Sequence, residues 1–512
     1  MMPKTNRLLL LALFAGLLFF AFKLIRFQTL GYTFNDMYAF IQMSCSYMDG
    51  RPFMYDNIWG FHHRIHNYYT VLFWGPFCYL WGAYGLFAVQ AFLLTISYTL
   101  VYRRLQYRQI PVWARQGLLL VILLGPVAFW LNDHPNIGWH TELTYLPFAL
   151  FFILALTSRS ASRQYWVPLT GLLLVLIKED GAVVAALIHL SWLALTFRQE
   201  SDQPLIKLLS QGAFWRIAGT WVAIFLLGMF WLSWKNHAAK PEPRLQQALA
   251  LLTQNIATKA FWKEMLFLLG AVIVLLLPAV GFLALLARQQ RANVVWSWVT
   301  IAGVGLTALV ALNFVQSVLY YGQPLFYLVS LTWPPRFVLL WAFVAAFLIA
   351  CLLMSSDRIP QRAPSGTIMA LVGLWLFQIP IVYIARPDIP PLKDWVTLIR
   401  YRPAKDKNPT LIQSADLAAI KCIAAQLPPR SSVFAFDYVM PFFHRHYGIW
   451  PTGNAYRPAD IAIIPTTDPQ HLTQTSAMPK ADTTFRLNAY TIYTSRAYAP
   501  YIGRCLSDTG PN

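Results

Sequence analysis

Apolar and polar positions divide the chain into a long series of apolar runs and a polar tail. The first run, Leu8 to Phe22, follows Lys4 and Arg7 and leads into Lys23-Leu24-Ile25-Arg26. No small-residue cleavage site follows it, which predicts an uncleaved signal anchor with its N-terminus inside. Further spans are expected at 84–102, 117–131, 143–157, 166–177, 181–197, 217–234, 264–287, 294–313, 337–354 and 367–385. Several are shorter than the roughly 20 residues that cross a bilayer as a helix, so their ends must extend into neighbouring aromatic residues. The pattern gives about eleven transmembrane helices over residues 1–385, and it puts the chain from Arg386 onward outside.

Between the first two spans lies an external loop, 27–83, too polar for lipid and rich in aromatic residues. From Asp36 the residues Met37, Phe40, Ile41, Cys45 and Met48 recur at helical spacing, which predicts a short amphipathic helix in the membrane interface with Asp36 at its head. The apolar piece Tyr68 to Trp81 decides the topology, because every later segment flips if it spans. With that piece kept as an interfacial or re-entrant helix, the cytoplasmic segments hold 15 Lys and Arg in 66 residues, against 11 in 127 for the external loops before the tail. That is the positive-inside sign, and flipping the later segments would reverse most of it, so Tyr68–Trp81 is expected not to span.

The tail, 386–512, is punctuated by proline and has no long apolar run. Leu411–Leu427 reads as an amphipathic helix, and Ser432–Phe436 and Ala459–Ile464 as short strands broken by Pro428-Pro429 and Pro465. These elements predict a small external α/β domain. No internal repeat, low-complexity tract or usable glycosylation sequon is present.

Composition agrees with the pattern. Of the 512 residues 57% are hydrophobic and only 12% charged, at a mean hydropathy of +0.48, more apolar surface than a soluble fold can hide. The formal charge of +19 is explained by basic loops at the membrane rather than by a nucleic-acid partner, for which no motif exists. Among five cysteines there is no CxxC pair, hence no metal-finger or redox signature. Cys78 and Cys351 read as packed apolar residues, while Cys422 and Cys505 could pair in an oxidising compartment.

Candidate chemistry follows from the acids, since only Glu200, Asp202 and Asp357 of the 21 fall on the cytoplasmic side. Besides Asp36, the external face concentrates polar residues in three connections: Asn132 to Glu142, the turn Lys178-Glu179-Asp180-Gly181, and Phe314 to Arg336. Ionisable groups at span ends are costly and mark functional sites. For any one of them a solvated loop charge is an equal reading; three on one face favour a site. Lys178 is a cation on the external side, against the orientation rule. At a span end it can snorkel to the surface, while Glu179 or Asp180 turns inward. His62 and His66, four apart, could share a helix face as a metal pair, but no carboxylate stands at a fixed spacing, and ordinary interfacial histidines are the stronger reading.

These pieces resemble the GT-C class of integral-membrane glycosyltransferases, and more narrowly the uncharacterised polytopic membrane-protein family grouped with that class. The resemblance is carried by Asn35-Asp36-Met37-Tyr38, His66 ahead of Gly75-Pro76, Gln90, His140-Thr141-Glu142 and Lys178-Glu179-Asp180. In the tail it is carried by Leu427-Pro428-Pro429-Arg430, Phe442-Phe443-His444-Arg445-His446-Tyr447 and Ala459-Asp460-Ile461. It implies a glycosyltransferase-like protein of the inner membrane that takes a sugar from a polyprenyl-phosphate-linked donor to an envelope glycan, lipid or protein acceptor on the external face. Asp36 would be the catalytic base, and Arg64, His66, His140, Glu142, Lys178, Glu179, Asp180 and Arg336 would bind substrate. Membrane lipids are the surrounding partners and no nucleic acid is involved. No cofactor is required; a divalent cation stays an open alternative without support, since Phe34-Asn35-Asp36 lacks the Asp-Glu pair of some members. A polytopic transporter or lipid flippase is the competing class. It would show inverted-repeat halves and helices broken at midplane. A structural or sensory envelope protein is a third.

Overall fold

The computed structural model describes residues 4–28, 32, 36–56, 60–61, 66–133, 138–201, 203–236, 253–254, 256, 258–288, 290–321, 334–385, 414–429, 431–435, 439–449, 459–466 and 482–507. The chain opens with α1 (Lys4–Gln28) and α2 (Asp36–Cys45), then a two-residue hairpin pair, β1 (Tyr55–Asp56) and β2 (Gly60–Phe61). Tyr69–Trp74 forms a 3-10 turn that runs into α3 (Gly75–Trp81). At 1.5 Å per helical residue such short elements cannot cross a bilayer.

The bundle continues through α4 (Ala83–Tyr107), α5 (Val112–Gly117), a π turn at Leu118–Leu123, α6 (Pro126–Leu131), α7 (Tyr145–Leu156), α8 (Arg163–Val175), α9 (Gly181–Glu200) and α10 (Gly212–Asn236). It is completed by α11 (Lys259–Ala287), α12 (Ala292–Tyr321), α13 (Pro334–Met354) and α14 (Thr367–Ala385). Among the described residues six helical stretches are long and apolar enough to cross a membrane: Ala83–Tyr107, Val112–Leu131, Gly181–Glu200, Gly212–Leu232, Ala292–Leu312 and Phe337–Met354. Shorter apolar helices lie at Thr141–Leu156, Val272–Ala287 and Thr367–Val382. The chain is a mostly helical, multi-pass membrane protein. Helix α13 has the most apolar of these windows, and 94% of it is buried. A helix that is apolar on every side is the one a bundle can surround. It packs on α7, α9, α12 and α6.

One span is interrupted. After the π turn the helix breaks at Leu124 and Gly125 and restarts at Pro126. Freed backbone groups in a membrane must find partners inside the protein. Gln378 of α14 supplies them: its Nε2 donates to Val121 O at 2.9 Å and its Oε1 accepts from Val127 N at 3.1 Å.

Past the bundle, α15 (Ser414–Gln426), β3 (Ser432–Ala435), β4 (Tyr447–Ile449), β5 (Ile461–Pro465), β6 (Thr483–Arg486), β7 (Tyr490–Thr494) and α16 (Ala499–Ser507) build a second unit. Its five strands run in the order β4-β3-β5-β7-β6, the first three parallel and the last three antiparallel. Cys422 of α15 and Cys505 of α16 form a disulfide. Cys78 and Cys351 are buried free thiols.

Helix α2 joins the two parts, and here the amphipathic expectation needs correcting. Every residue from Met37 to Cys45 is buried, so the helix does not lie half in lipid and half in water. Phe40, Ile41 and Met43 enter the bundle core, while Tyr38 enters the core of the sheet unit. The polar face that sequence assigns to water is taken by protein: Tyr38 OH donates to His446 O at 3.0 Å, and Gln42 Nε2 to the same carbonyl at 3.3 Å. Phe442 stacks on Phe27 at 4.5 Å, and Arg445 NH2 donates to Tyr79 O at 3.3 Å.

Candidate functional site: a buried acidic cluster

Three connections far apart in sequence meet at one end of the bundle. The first is the turn between α8 and α9. Gly181 makes it tight, since a Cβ there would lie 1.9 Å from Leu174 O, closer than any side chain can come. The second is a 3-10 turn, Thr141–Thr144, capped by His140, whose Nδ1 accepts from Glu142 N at 3.3 Å. The third is the strand of chain at His66–Tyr68 leading into the 3-10 turn. Thr70 sews them together: its N–H donates to Leu176 O at 2.9 Å, and its hydroxyl lies 3.0 Å from that of Thr141.

All of Lys178, Glu179 and Asp180 are buried, so the expectation that Lys178 snorkels outward is corrected. Its ammonium turns inward and donates to Glu142 Oε1 at 2.6 Å, with Asp180 Oδ2 at 3.7 Å. In the low dielectric behind α7 and α9 a carboxylate offers it more than distant water does. Asp180 caps α9 by position, yet its side chain makes no cap hydrogen bond and accepts instead from Tyr145 OH. Glu179 points the other way: Oε1 lies 2.8 Å from His66 Nδ1, and Oε2 accepts from Asn67 N at 3.3 Å. Glu142 Oε2 stands 3.7 Å from His140 Nδ1. His66, His140, Glu142, Lys178, Glu179 and Asp180, named from sequence, thus belong to one cluster.

Charge governs the protonation of the cluster. Burial pushes the Lys178 ammonium down, but Glu142, Asp180 and Glu179 more than reverse this and hold its pKa above the ordinary value. Burial raises the Asp180 carboxyl; Lys178 pulls it back, Glu142 and Glu179 push it up again, and the net shift is upward. A further cation stands at the edge. Lys235 Nζ, at the end of α10, donates to Asn67 Oδ1 at 3.0 Å and to Tyr69 OH at 2.9 Å. Burial lowers its pKa to about 8, against the upward pull of Glu179.

Asp36 is half-buried at the head of α2. Residues i and i+4 share a helical face, so Asp36 stands one turn, about 6 Å of axial rise, before Phe40 on the same side. The Phe40 ring meets His140 edge-on at 4.8 Å and Tyr68 at 5.4 Å, and Tyr68 lies 4.8 Å from His66. An aromatic group therefore links α2, the helix that Asp36 heads, to the cluster. The side chains of Arg64 and Arg336 lie outside the described residues, as does His62; the helix that carries Arg336, α13, packs on the Thr141–Thr144 turn. Among the described residues no group of three His, Cys, Asp or Glu is arranged to hold a metal ion.

Sequence reasoning missed Tyr145, Asn67 and Lys235. It also missed a second buried charge site, where Lys23 Nζ lies 3.3 Å from Asp133 Oδ1, Arg26 NH1 donates to Asp133 Oδ2 at 3.0 Å and Tyr32 OH donates to Oδ1 at 2.9 Å. Lys23 also donates to the carbonyl of Gly138, a residue at φ +78° that a side chain would strain. The available signal was their charge: basic residues at the end of an apolar run are costly near a bilayer and need a partner.

No family model matches the chain, and no curated protein matches it. Among solved structures it is similar to ArnT from Cupriavidus metallidurans in the apo state, over 97% of this chain and 99% of that one, at 12% identity and a TM-score of 0.46. A likeness at that identity and score carries no argument about chemistry, which rests on the side chains above.

Proposed function

We propose that the protein is a GT-C-like membrane glycosyltransferase that moves a sugar from a polyprenyl-phosphate donor to an envelope acceptor on the external face of the inner membrane. The observation that supports this reading best is the convergence of His66, His140, Glu142 and Lys178–Asp180 on one buried cluster beside α2. In this reading Asp36 takes the proton of an acceptor hydroxyl as that oxygen attacks the anomeric carbon. The bond from carbon to the phosphate oxygen breaks, and the polyprenyl phosphate leaves. His66, oriented by Glu179, and His140, oriented beside Glu142, hold the sugar. Lys178 is engaged by two carboxylates, so it positions Glu142 and Asp180; stabilising the leaving phosphate falls to Arg64 and Arg336. Between Glu142 and Asp180 it supplies the positive charge a divalent ion would bring, and the reading requires no metal. Eleven spans, a cytoplasmic N-terminus and an external 386–512 domain complete it. The Cys422–Cys505 pair supports the external placement, because disulfides persist in oxidising compartments.

The experiment is mass spectrometry of envelope glycans and lipid carriers with and without the gene, followed by complementation. Asp36→Asn at normal expression is expected to restore nothing, since an amide cannot accept the proton. Full complementation would remove Asp36 as base. A second reading, a transporter or flippase, draws on the broken span at Leu124 and Gly125. It requires carrier lipids to accumulate on one side of the membrane with sugar transfer intact.

A further inference from the structure

Away from the acidic cluster, α1, α4 and the broken α5–α6 span enclose a cavity of about 160 Å³, lined among others by Ala15, Gly16, Thr95, Leu124, Phe129 and Asn132. Gly16 is what lets α1 approach α4, for a Cβ there would lie 2.1 Å from Thr95 Oγ1. The cavity opens sideways: Leu18 and Phe129, both lining it, are 52% and 37% exposed on the outer surface of the bundle. Its lining is mostly apolar; the polar side chains in it are Thr95, whose hydroxyl donates to Ala91 O at 2.8 Å, Tyr98 and Asn132.

Asn132 is 2% exposed at the end of α6. Its Nδ2 donates to Ala128 O at 2.7 Å, and its Oδ1 is buried without a hydrogen-bond partner. Gln90 behind it is alike: Nε2 donates to Asn132 O at 2.8 Å while Oε1 is buried and unpartnered. A buried orphan acceptor is expensive, and what it lacks is a donor. The same end is cationic. Lys23 Nζ lies 5.2 Å over the ring of Phe19, which lines the cavity. Arg26 lies 5.8 Å over Phe22, whose ring meets Phe129 at 5.0 Å. Both cations converge on the single carboxylate of Asp133.

We infer that this groove binds one chain of an anionic glycerophospholipid with a hydroxyl-bearing headgroup. The chain fills the apolar cleft, a headgroup hydroxyl donates to Asn132 Oδ1, and the phosphate lies toward Lys23 and Arg26. A choline headgroup has neither O–H nor N–H to give. An ethanolamine headgroup has a donor but brings an ammonium to an end that already holds two cations. The inference is independent of glycosyl transfer.

Native mass spectrometry of the delipidated full-length protein in detergent tests it, with phosphatidylglycerol, phosphatidylethanolamine and phosphatidylcholine of identical acyl chains added in turn. One phosphatidylglycerol should be retained on the order of fivefold more tightly than phosphatidylcholine, the value of one net hydrogen bond. Asn132→Ala should bring phosphatidylglycerol to the phosphatidylcholine level without lowering the lipid-free unfolding temperature. Ala15→Phe, which fills the cleft from its open side, should weaken all three lipids. Equal retention of the three by the unsubstituted protein overturns the proposal, and so does an undiminished preference in a folded Asn132→Ala. Should Asn132→Ala fail to fold, the three-lipid comparison together with Ala15→Phe decides.

Discussion

Lys178→Gln is the most informative single change. It removes the cation that Glu142 Oε1 meets at 2.6 Å and Asp180 Oδ2 at 3.7 Å, where the exposure of all three side chains is 10% or less. Glutamine keeps hydrogen-bonding capacity but not charge, so two carboxylates are left buried beside a third, Glu179. Deleting one partner of a buried ion pair typically costs about 3–5 kcal/mol. Protonation offers the cluster an escape, which gives the cost a signature in pH. Asp180 is already raised, by burial and by Glu142 and Glu179, with Lys178 pulling it down. Without Lys178 it rises further, so the folded variant holds a proton that the unfolded chain releases. Stability from such a group is present at low pH and is lost as pH climbs through the raised folded value. The deficit should therefore be larger at pH 8 than at pH 5.5. Tryptophan fluorescence of thermal unfolding in detergent reads this directly, with the added change Glu142→Gln expected to recover part of the loss. Unfolding indistinguishable from the parent at pH 8 would show that Lys178 is solvated and that the buried cluster does not exist.

Two further outcomes follow from packing. Gly181→Ala, with its Cβ forced to 1.9 Å from Leu174 O, should lower the unfolding temperature and disturb the cluster, whereas Gly373→Ala, with nothing within 4 Å, should be neutral or slightly stabilising. Cys422→Ser opens a link across 83 residues, worth about 4–5 kcal/mol by loop entropy, and should make the sheet unit sensitive to protease. In the unsubstituted protein, thiol labelling of Cys422 and Cys505 should require reductant, and labelling without it would refute the pair.

The apolar runs were legible because a bilayer imposes length and hydropathy on any segment that crosses it. Most predicted spans coincide with helices, including 84–102 within α4 and 337–354 within α13. The sheet unit was legible in part: the strand at 432–436 is observed as Ser432–Ala435 and that at 459–464 as Ile461–Pro465. Strands β6 and β7 were not read, since Thr483–Arg486 is an exposed edge and Tyr490–Thr494 follows it without a strong turn signal. Hydrophobic period locates α2, but period alone cannot say whether a polar face meets water or another part of the chain. The carbonyl of His446, some 400 residues away, decides that question.

The candidate site divides along the same line. Sequence singled out the charged residues at the ends of apolar runs, Glu142 and Lys178–Asp180 among them, because charge near a bilayer is costly wherever it occurs. Pairing belonged to tertiary structure. Whether Lys178 faces outward or inward depends on Glu142 lying 2.6 Å away, and Glu142 arrives on a turn 36 residues earlier. The same holds for Lys23 and Arg26, whose partner Asp133 is more than 100 residues distant. A buried charge is stable only with its counter-charge in contact, and contact between distant segments is set by how the helices pack.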